Sequence, residues 1–264
     1  MRTLPVCIFT HNRTSCALSV VDALLANLRC DGRRIRYILC DDRSEPGHVE
    51  AIVDRFEKAG ESPVVYRNTD GRTGLGASMN KGLEDAFQDS HECLRLEDDW
   101  LLKRPLDLGA WAKCMDRLSI GSIRLGMMFR RPYELRPYEE GLLKVKSDRS
   151  RTFTFNNQVA LVSDQIYSLT GPYLENVEPK VVERTMAERF NEITHKCELS
   201  PFVCWPAGWE TMSYYGERMA FDHIGESTIG HRYRIPDRYR KLNDPELDRR
   251  VRERFLPTSP CQAW

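Results

Sequence analysis

The 264-residue sequence contains no run approaching the roughly 20 consecutive apolar residues that a membrane-spanning helix needs. Its opening, MRTLPVCIFTHNR, passes straight into a strand-like segment without the apolar core of a secretory signal. These two absences point to a chain with no membrane span and a cytoplasmic location. Paired cysteines are lacking as well: the nine cysteines stand singly, with no Cys-x-x-Cys, which argues against a disulfide scaffold or a Cys-rich zinc module. Most of them read as small buried hydrophobes. Neither sign of charge is in excess, with Lys+Arg 39 against Asp+Glu 39, so the chain as a whole is not a polyanion-binding surface. Its 41% of hydrophobic residues also exclude disorder. No internal repeat, low-complexity tract or oligomer-specifying pattern is present. The glycine-rich segment DGRTGLGASMNKGL matches neither Gly-x-Gly-x-x-Gly nor the P-loop pattern, so a nicotinamide or ATPase reading has no motif behind it.

What is present in the first hundred residues is alternation. Leu4 to Thr10 reads as a buried strand, and Ala17, Leu18, Val21, Leu24, Leu25 and Leu28 then recur at helical spacing. Ile35 to Cys40 is a second strand, followed by a helical pattern around Val49, Ile52, Val53 and Phe56. Pro63 to Tyr66 is a third strand, Leu75, Met79, Leu83 and Phe87 outline a third helix, and Glu92 to Leu96 is a fourth strand. This order predicts an α/β chain with a mostly parallel, Rossmann-like sheet flanked by helices. In such sheets ligands gather outside the carboxyl ends of the strands. Here each strand ends in polar residues: Thr10 to Arg13, Asp41 to Ser44, Asn68 to Arg72, and Glu97 to Asp99.

The fourth end, in HECLRLEDDWLL, is the most pointed. In an extended chain Glu97 and Asp99 share one side while Asp98 faces the other. An acid-x-acid at a strand end can hold a hard divalent cation through oxygen, and that cation can bridge nucleotide phosphates. The bland alternative is a solvated acidic loop. Gly71, Gly74 and Gly76 let backbone approach a ligand, and the helix beyond them favours an anion.

Four segments carry a resemblance. VCIFTHNR at 6–13, ILCDDRS at 38–44, GLGASMNKGL at 74–83 and LRLEDDW at 94–100 resemble, in order and spacing, the nucleotide-sugar-binding segments of GT-A fold glycosyltransferases, particularly family 2. The resemblance covers about the first 105 residues. It implies that Thr10, Asn12 and Arg13 surround the donor nucleoside. Asp42 would contact the base, with Asp41 its neighbour in the motif, and Arg72 would lie near the base or diphosphate. Asn80 and Gly82 match supporting helix positions. Glu97, Asp98 and Asp99 align with the D-x-D motif, in which the last acid binds the metal and the first lies near the ribose; Glu97 departs from the usual Asp. The implied cofactor is Mn2+ or Mg2+ and the implied co-substrate a nucleotide-sugar, with a UDP-sugar the first expectation.

After Pro105 the texture becomes α+β. Residues 122–128, 142–146 and 152–162 read as strands, a helix is predicted from about Pro179 to His195, and Pro201 to Trp209 reads as irregular. The expected organisation is a donor half (1–105), an acceptor-binding and catalytic half of the same domain (106–235) and a tail (236–264). The resemblance offers Glu178 and Glu183 as the base that deprotonates the acceptor, with Glu175 a further candidate, although Glu is ordinary at the start of a helix. It also offers His223, with His231 in reserve, as a metal or diphosphate ligand. Trp100, Trp205, Trp209, Tyr214 and Tyr215 could stack on an acceptor or pack in the core.

Residues 124–151 and 231–255 each carry a net charge of +4. If they share a face, a polyanionic acceptor fits. Small glycosyltransferases of this fold decorate hydroxymethylcytosine in bacteriophage DNA, which makes a hydroxymethylated DNA base one acceptor and a viral source, in a host cytoplasm, one setting. A saccharide, lipid-linked or small-molecule acceptor is the other reading. Sugar nucleotidyl transfer ranks below glycosyl transfer, because FTHNRTS lacks the Gly-rich signature of those enzymes. A non-catalytic nucleotide-sugar-binding protein is a third class.

Overall fold

Leu4, Val6 and Ile8 point to one face of their strand and Cys7 and Phe9 to the other, and all five are buried. A strand covered on both faces reads as a continuous apolar run, which is why this segment shows no polar alternation. In a computed structural model that describes residues 2–69, 71–126, 135–139, 141–145, 157–197, 202–206 and 220–224, the segment is β1 (Thr3–Thr10). It is followed by α1 (Thr14–Asn27), β2 (Leu28–Arg29), β3 (Arg34–Asp41), α2 (His48–Lys58), β4 (Val64–Arg67), α3 (Gly74–Asp89) and β5 (Glu92–Glu97). Then come β6 (Trp100–Leu102), β7 (Leu106–Asp107), α4 (Gly109–Leu118), β8 (Ile120–Arg124), β9 (Leu135–Pro137) and β10 (Leu142–Val145). The last described elements are β11 (Ala160–Ser163), α5 (Asp164–Thr170), α6 (Pro179–Cys197), β12 (Phe202–Pro206) and β13 (Phe221–His223).

Nine strands form one sheet in the order β4-β3-β1-β5-β11-β8-β12-β10-β9. The pairings among β4, β3, β1 and β5 are parallel, and Thr10 pairs with Asp41, Asp41 with Arg67 and Phe9 with Glu97, so four carboxyl ends finish at one level. β11 runs antiparallel to both β5 and β8, so the sheet changes character where the sequence lost its alternation. One core cluster joins Leu4, Val6 and Ile8 to Leu24, Val49, Ile52 and Phe56 of α1 and α2. The other joins Cys7, Phe9 and Cys40 to Met79, Leu83, Val182 and Met186 of α3 and α6.

The helix predicted near Pro179 is α6. The stretch 201–209 departs from expectation: Phe202–Pro206 is a strand inside the sheet, between β8 and β10. Its Trp and Pro suggested a loop, but Val203 and Cys204 are buried and Pro206, which lacks an N–H, closes the strand. The short helices α4 and α5 gave no distinct periodic signal. The strand expected over 152–162 is described only as Ala160–Ser163, and the tail 236–264 lies outside the described residues, as do His231, Trp209, Tyr214 and Tyr215. Among the described residues no helix is long and apolar enough to cross a membrane.

One close approach fixes the two halves. A Cβ on Gly76 would lie 1.8 Å from the carbonyl oxygen of Leu174, so α3 meets the loop before α6 through bare backbone. In an open helix Gly→Ala stabilises by up to about 1 kcal/mol. Here Gly76→Ala is expected to reverse that sign and destabilise the protein by about 1–3 kcal/mol in urea denaturation, the cost of overpacking; a stabilised variant would refute the contact.

Candidate active site

The strand ends meet at two adjacent buried acids. Asp98 is fully buried and Asp99 nearly so. Its backbone N–H donates to Phe9 O (2.9 Å), which seats Asp98 at the end of β1. Asp98 Oδ2 accepts the Thr10 hydroxyl at 2.7 Å and the His11 N–H at 3.2 Å, while Oδ1 lies 2.5 Å from Arg13 Nη2. Burial raises the Asp98 pKa to about 6, against the opposing pull of Arg13 and those donors. Behind Thr10 stands His48, also buried, with Nε2 2.6 Å from Thr10 Oγ1 and Nδ1 2.7 Å from Thr14 Oγ1. Since Thr10 donates its proton to Asp98, it must accept from His48 Nε2–H, and His48 Nδ1 accepts from Thr14. Burial lowers the His48 pKa and suits this neutral ring.

Asp99 faces the crevice. Its Oδ2 is ion-paired with Arg13 Nη1 and lies 3.1 Å from His223 Nε2. β13 pairs antiparallel with β6, setting His223 opposite Trp100, and Ile224 N–H donates to Asp99 O (2.8 Å). Burial acts to raise the Asp99 pKa, but His223 and Arg13 overcome it and hold the carboxyl below its ordinary value. Trp100 is buried and meets the His223 ring edge-on at 5.1 Å, so it packs in the core behind Asp99 and His223. Asp99 Oδ1 is buried without a hydrogen-bond partner, while the His223 imidazole nitrogen lies against the other oxygen of the same carboxylate, Oδ2. An unpartnered carboxylate oxygen with a neighbouring nitrogen fits Mn2+ or Mg2+. Among the described residues no three His, Cys, Asp or Glu side chains are grouped to hold a metal, so the diphosphate would have to complete the shell.

At the opposite end of the crevice Asp42 is half-buried and its Oδ1 accepts the N–H of Gly74 (2.8 Å) and Asn68 Nδ2 (2.9 Å). The acid is thereby tied to the first turn of α3. Asp41, its neighbour, turns the other way: it is buried and accepts Ser44 N–H, as alternation along a strand requires. Asn12 is exposed, with its side chain accepting Glu45 N–H (2.7 Å), and so braces the loop after β3. Arg72, at the start of the glycine-rich segment, is ion-paired with Glu175, and that hydrogen-bonded pairing lowers the Glu175 pKa to about 2.

Glu97 is half-buried on the crevice floor, its pKa raised well above the ordinary range by burial, then by Asp99 and Glu183. Glu183 keeps an open solvent face while the surrounding chain crowds its carboxyl and raises its pKa, with Arg95 opposing. Of the candidate bases, Glu183 is the one whose charge reaches Glu97. Glu178 is exposed and its carbonyl starts α6, accepting from Val181 and Val182.

The structure thus gathers Arg13, Glu97, Asp99, Glu183 and His223 at the crevice, keeps Asp42 at one end, and turns Thr10, Asp41 and Asp98 inward. Sequence reading passed over His48, Arg95 and Tyr173. Only burial marks them, since each sits in a segment that reads as ordinary helix, strand or loop.

Residues 6–101 match the family model described as Glycosyl transferase family 2. No curated protein matches the chain. Among solved structures it is similar to the mannosyltransferase PcManGT from Pyrobaculum calidifontis, in complex with GDP-Man and Mn2+ (15% identity, TM-score 0.50, 81% of this chain and 59% of that one). It is similar also to S. aureus TarS 1-349 in complex with UDP-GlcNAc (13% identity, TM-score 0.57, 91% of this chain and 64% of that one). The chain therefore spans less than two thirds of the length of these structures. The fold they share is GT-A.

Arg13 is the counter-charge of both buried acids. Arg13→Met is expected to cost about 3 kcal/mol of stability at pH 8. The loss should shrink at pH 5, where Asp98, whose folded pKa is raised and rises further without the guanidinium, takes up a proton. A loss that is the same at both pH values in urea denaturation would contradict the pairing.

Proposed function

We propose that this chain, with its GT-A fold and its family 2 donor half, is a glycosyltransferase that moves a sugar from a nucleotide-sugar to a hydroxyl acceptor. The observation that carries the reading is the Asp99 carboxylate, buried at the level where four strand ends meet, with one oxygen unpartnered and His223 beside it. In this reading Asp42 accepts a ring N–H of the donor base, which uracil (N3–H) and guanine (N1–H) both present. The two similar structures are complexes with GDP-Man and with UDP-GlcNAc, and a UDP-sugar is the donor we assign first. Asp99 and His223 would hold Mn2+ or Mg2+, whose chemistry when bound is Lewis-acid stabilisation of charge on the leaving diphosphate. Glu97, on the same side of its strand as Asp99, faces the ribose. As the sugar–phosphate bond breaks, Glu183 takes the proton of the attacking hydroxyl; a carboxyl held above its ordinary pKa is a better base than a free one.

The acceptor rests on charge. The basic stretches 124–151 and 231–255 support a DNA carrying a hydroxymethylated base, and comparing turnover on hydroxymethylated duplex DNA with turnover on saccharide acceptors tests it. DNA stimulation that weakens with salt is the expected result; no stimulation leaves the saccharide or small-molecule reading.

Asp99→Ala is expected to lower metal-dependent sugar transfer by about 100-fold or more, as for loss of a group that stabilises transition-state charge. Undiminished release of nucleoside diphosphate would refute the role of Asp99, and release of pyrophosphate instead would favour nucleotidyl transfer.

A further inference from the structure

Arg95 is 1% exposed and among the largest fully buried side chains, on β5 two residues before Glu97 and on the same face. Burying a guanidinium costs several kcal/mol unless its donors are met, and for stability alone an apolar residue serves as well. Arg95 Nη1 donates to Tyr173 Oη at 2.7 Å and to Asn157 Oδ1 at 3.4 Å, and Nη2 donates to Gln158 O at 3.3 Å. Tyr173 is held from its other side too. Its N–H donates to Asn80 Oδ1 (2.7 Å), and its carbonyl accepts from Asn80 Nδ2 (3.0 Å). Asn80 Nδ2 also reaches Glu175 Oε1 (2.9 Å), the partner of Arg72. Asn176 closes the series by donating to Gly71 O (3.0 Å) and accepting Thr73 N–H (2.9 Å).

A continuous polar chain therefore runs from β5, through Tyr173 and α3, to the glycine-rich loop beside Asp42. It ends at Glu175 and Asn176, in the loop that leads into α6, whose second turn carries Glu183. The loop it grips needs gripping: Gly171 and Asn176 both adopt the left-handed region, with φ of +73° and +58°. Without anchors the chain between them has no reason to prefer one path.

We propose that Arg95 and Tyr173 are positioning residues that fix the 171–178 loop against β5 and so set Glu183, early in α6, within reach of Glu97. The inference rests on Glu183 as the base of the proposed transfer. Arg95 contributes twice, as the anchor of Tyr173 and as the positive charge that opposes the crowding of the Glu183 carboxylate.

Tyr173→Phe removes one hydroxyl and keeps the ring; Arg95→Lys keeps the charge and loses the forked geometry. Each is expected to lower kcat about tenfold while the KM for the nucleotide-sugar stays within about twofold, because the hydrogen bonds that tie Asp42 to Gly74 and Asn68 do not run through Arg95 or Tyr173. In a Glu183→Gln background the same changes should cost less than about twofold, since a residue that acts through Glu183 has nothing left to position. An undiminished tenfold loss in that background, or a raised KM with kcat unchanged, overturns the proposal. If Glu183→Gln alone leaves kcat intact, Glu183 is not the base and the positioning role falls with it, whereas transfer dependent on Asp99 stands. If Tyr173→Phe does not fold, the Arg95→Lys cycle decides.

Discussion

Two neighbouring carboxylates buried in one turn are the constraint on which this crevice depends. Taking each out of water costs several kcal/mol, and placing them side by side adds repulsion. The protein answers with different partners. Asp98 turns inward to the Thr10 hydroxyl, the His11 N–H and one arm of Arg13. Asp99 stays toward the crevice with His223 and the other arm. One guanidinium thus serves both acids, and its place at the end of β1 follows from the parallel register of β1 with β5. The Thr14–His48–Thr10 relay extends the support into α1 and α2, so the first two helices are pinned to the same point as the acids.

A second consequence is the division of labour across the crevice. The end at Asp42 is built almost wholly from backbone N–H groups and amides, rigid neutral donors that shape a pocket without adding charge. The end at Glu97 and Glu183 is crowded and acidic, with Arg95 the buried cation beneath it. Between the two, α3 touches the loop before α6 at Gly76, where no side chain would fit. The strand-end loops and the loop before α6 are therefore parts of one packed body, and the polar chain from Arg95 to Arg72 is the visible thread between them.

The fold of the first hundred residues was legible because its physics is local. A strand buried on both faces shows as an apolar run, its end shows as a polar cluster, and the period between strands is helical; Leu4 to Thr10 needed nothing more, whereas Glu97 to Asp99 stood out from a solvated acidic loop only beside the other strand ends and the resemblance. The inward turn of Asp41 and Asp98 could be read from alternation, yet the motif invited both to the donor. The pairing of Arg72 with Glu175 was not legible, because only the fold brings Glu175, a hundred residues away, to its side. β12 was hidden by Trp and Pro, which signal loops locally but end a short interior strand here. His48 and Arg95 were invisible for a related reason: a polar side chain in an ordinary helix or strand acquires meaning only from what buries it.

The assignment of the four strand ends to a nucleotide-sugar is tested most directly by diffraction from crystals soaked with UDP or GDP and Mn2+. Donor binding at this edge predicts an anomalous Mn2+ peak on Asp99 and His223, the diphosphate beside it, and the base against Asp42. A nucleotide lodged elsewhere, or manganese bound away from Asp99, would contradict it.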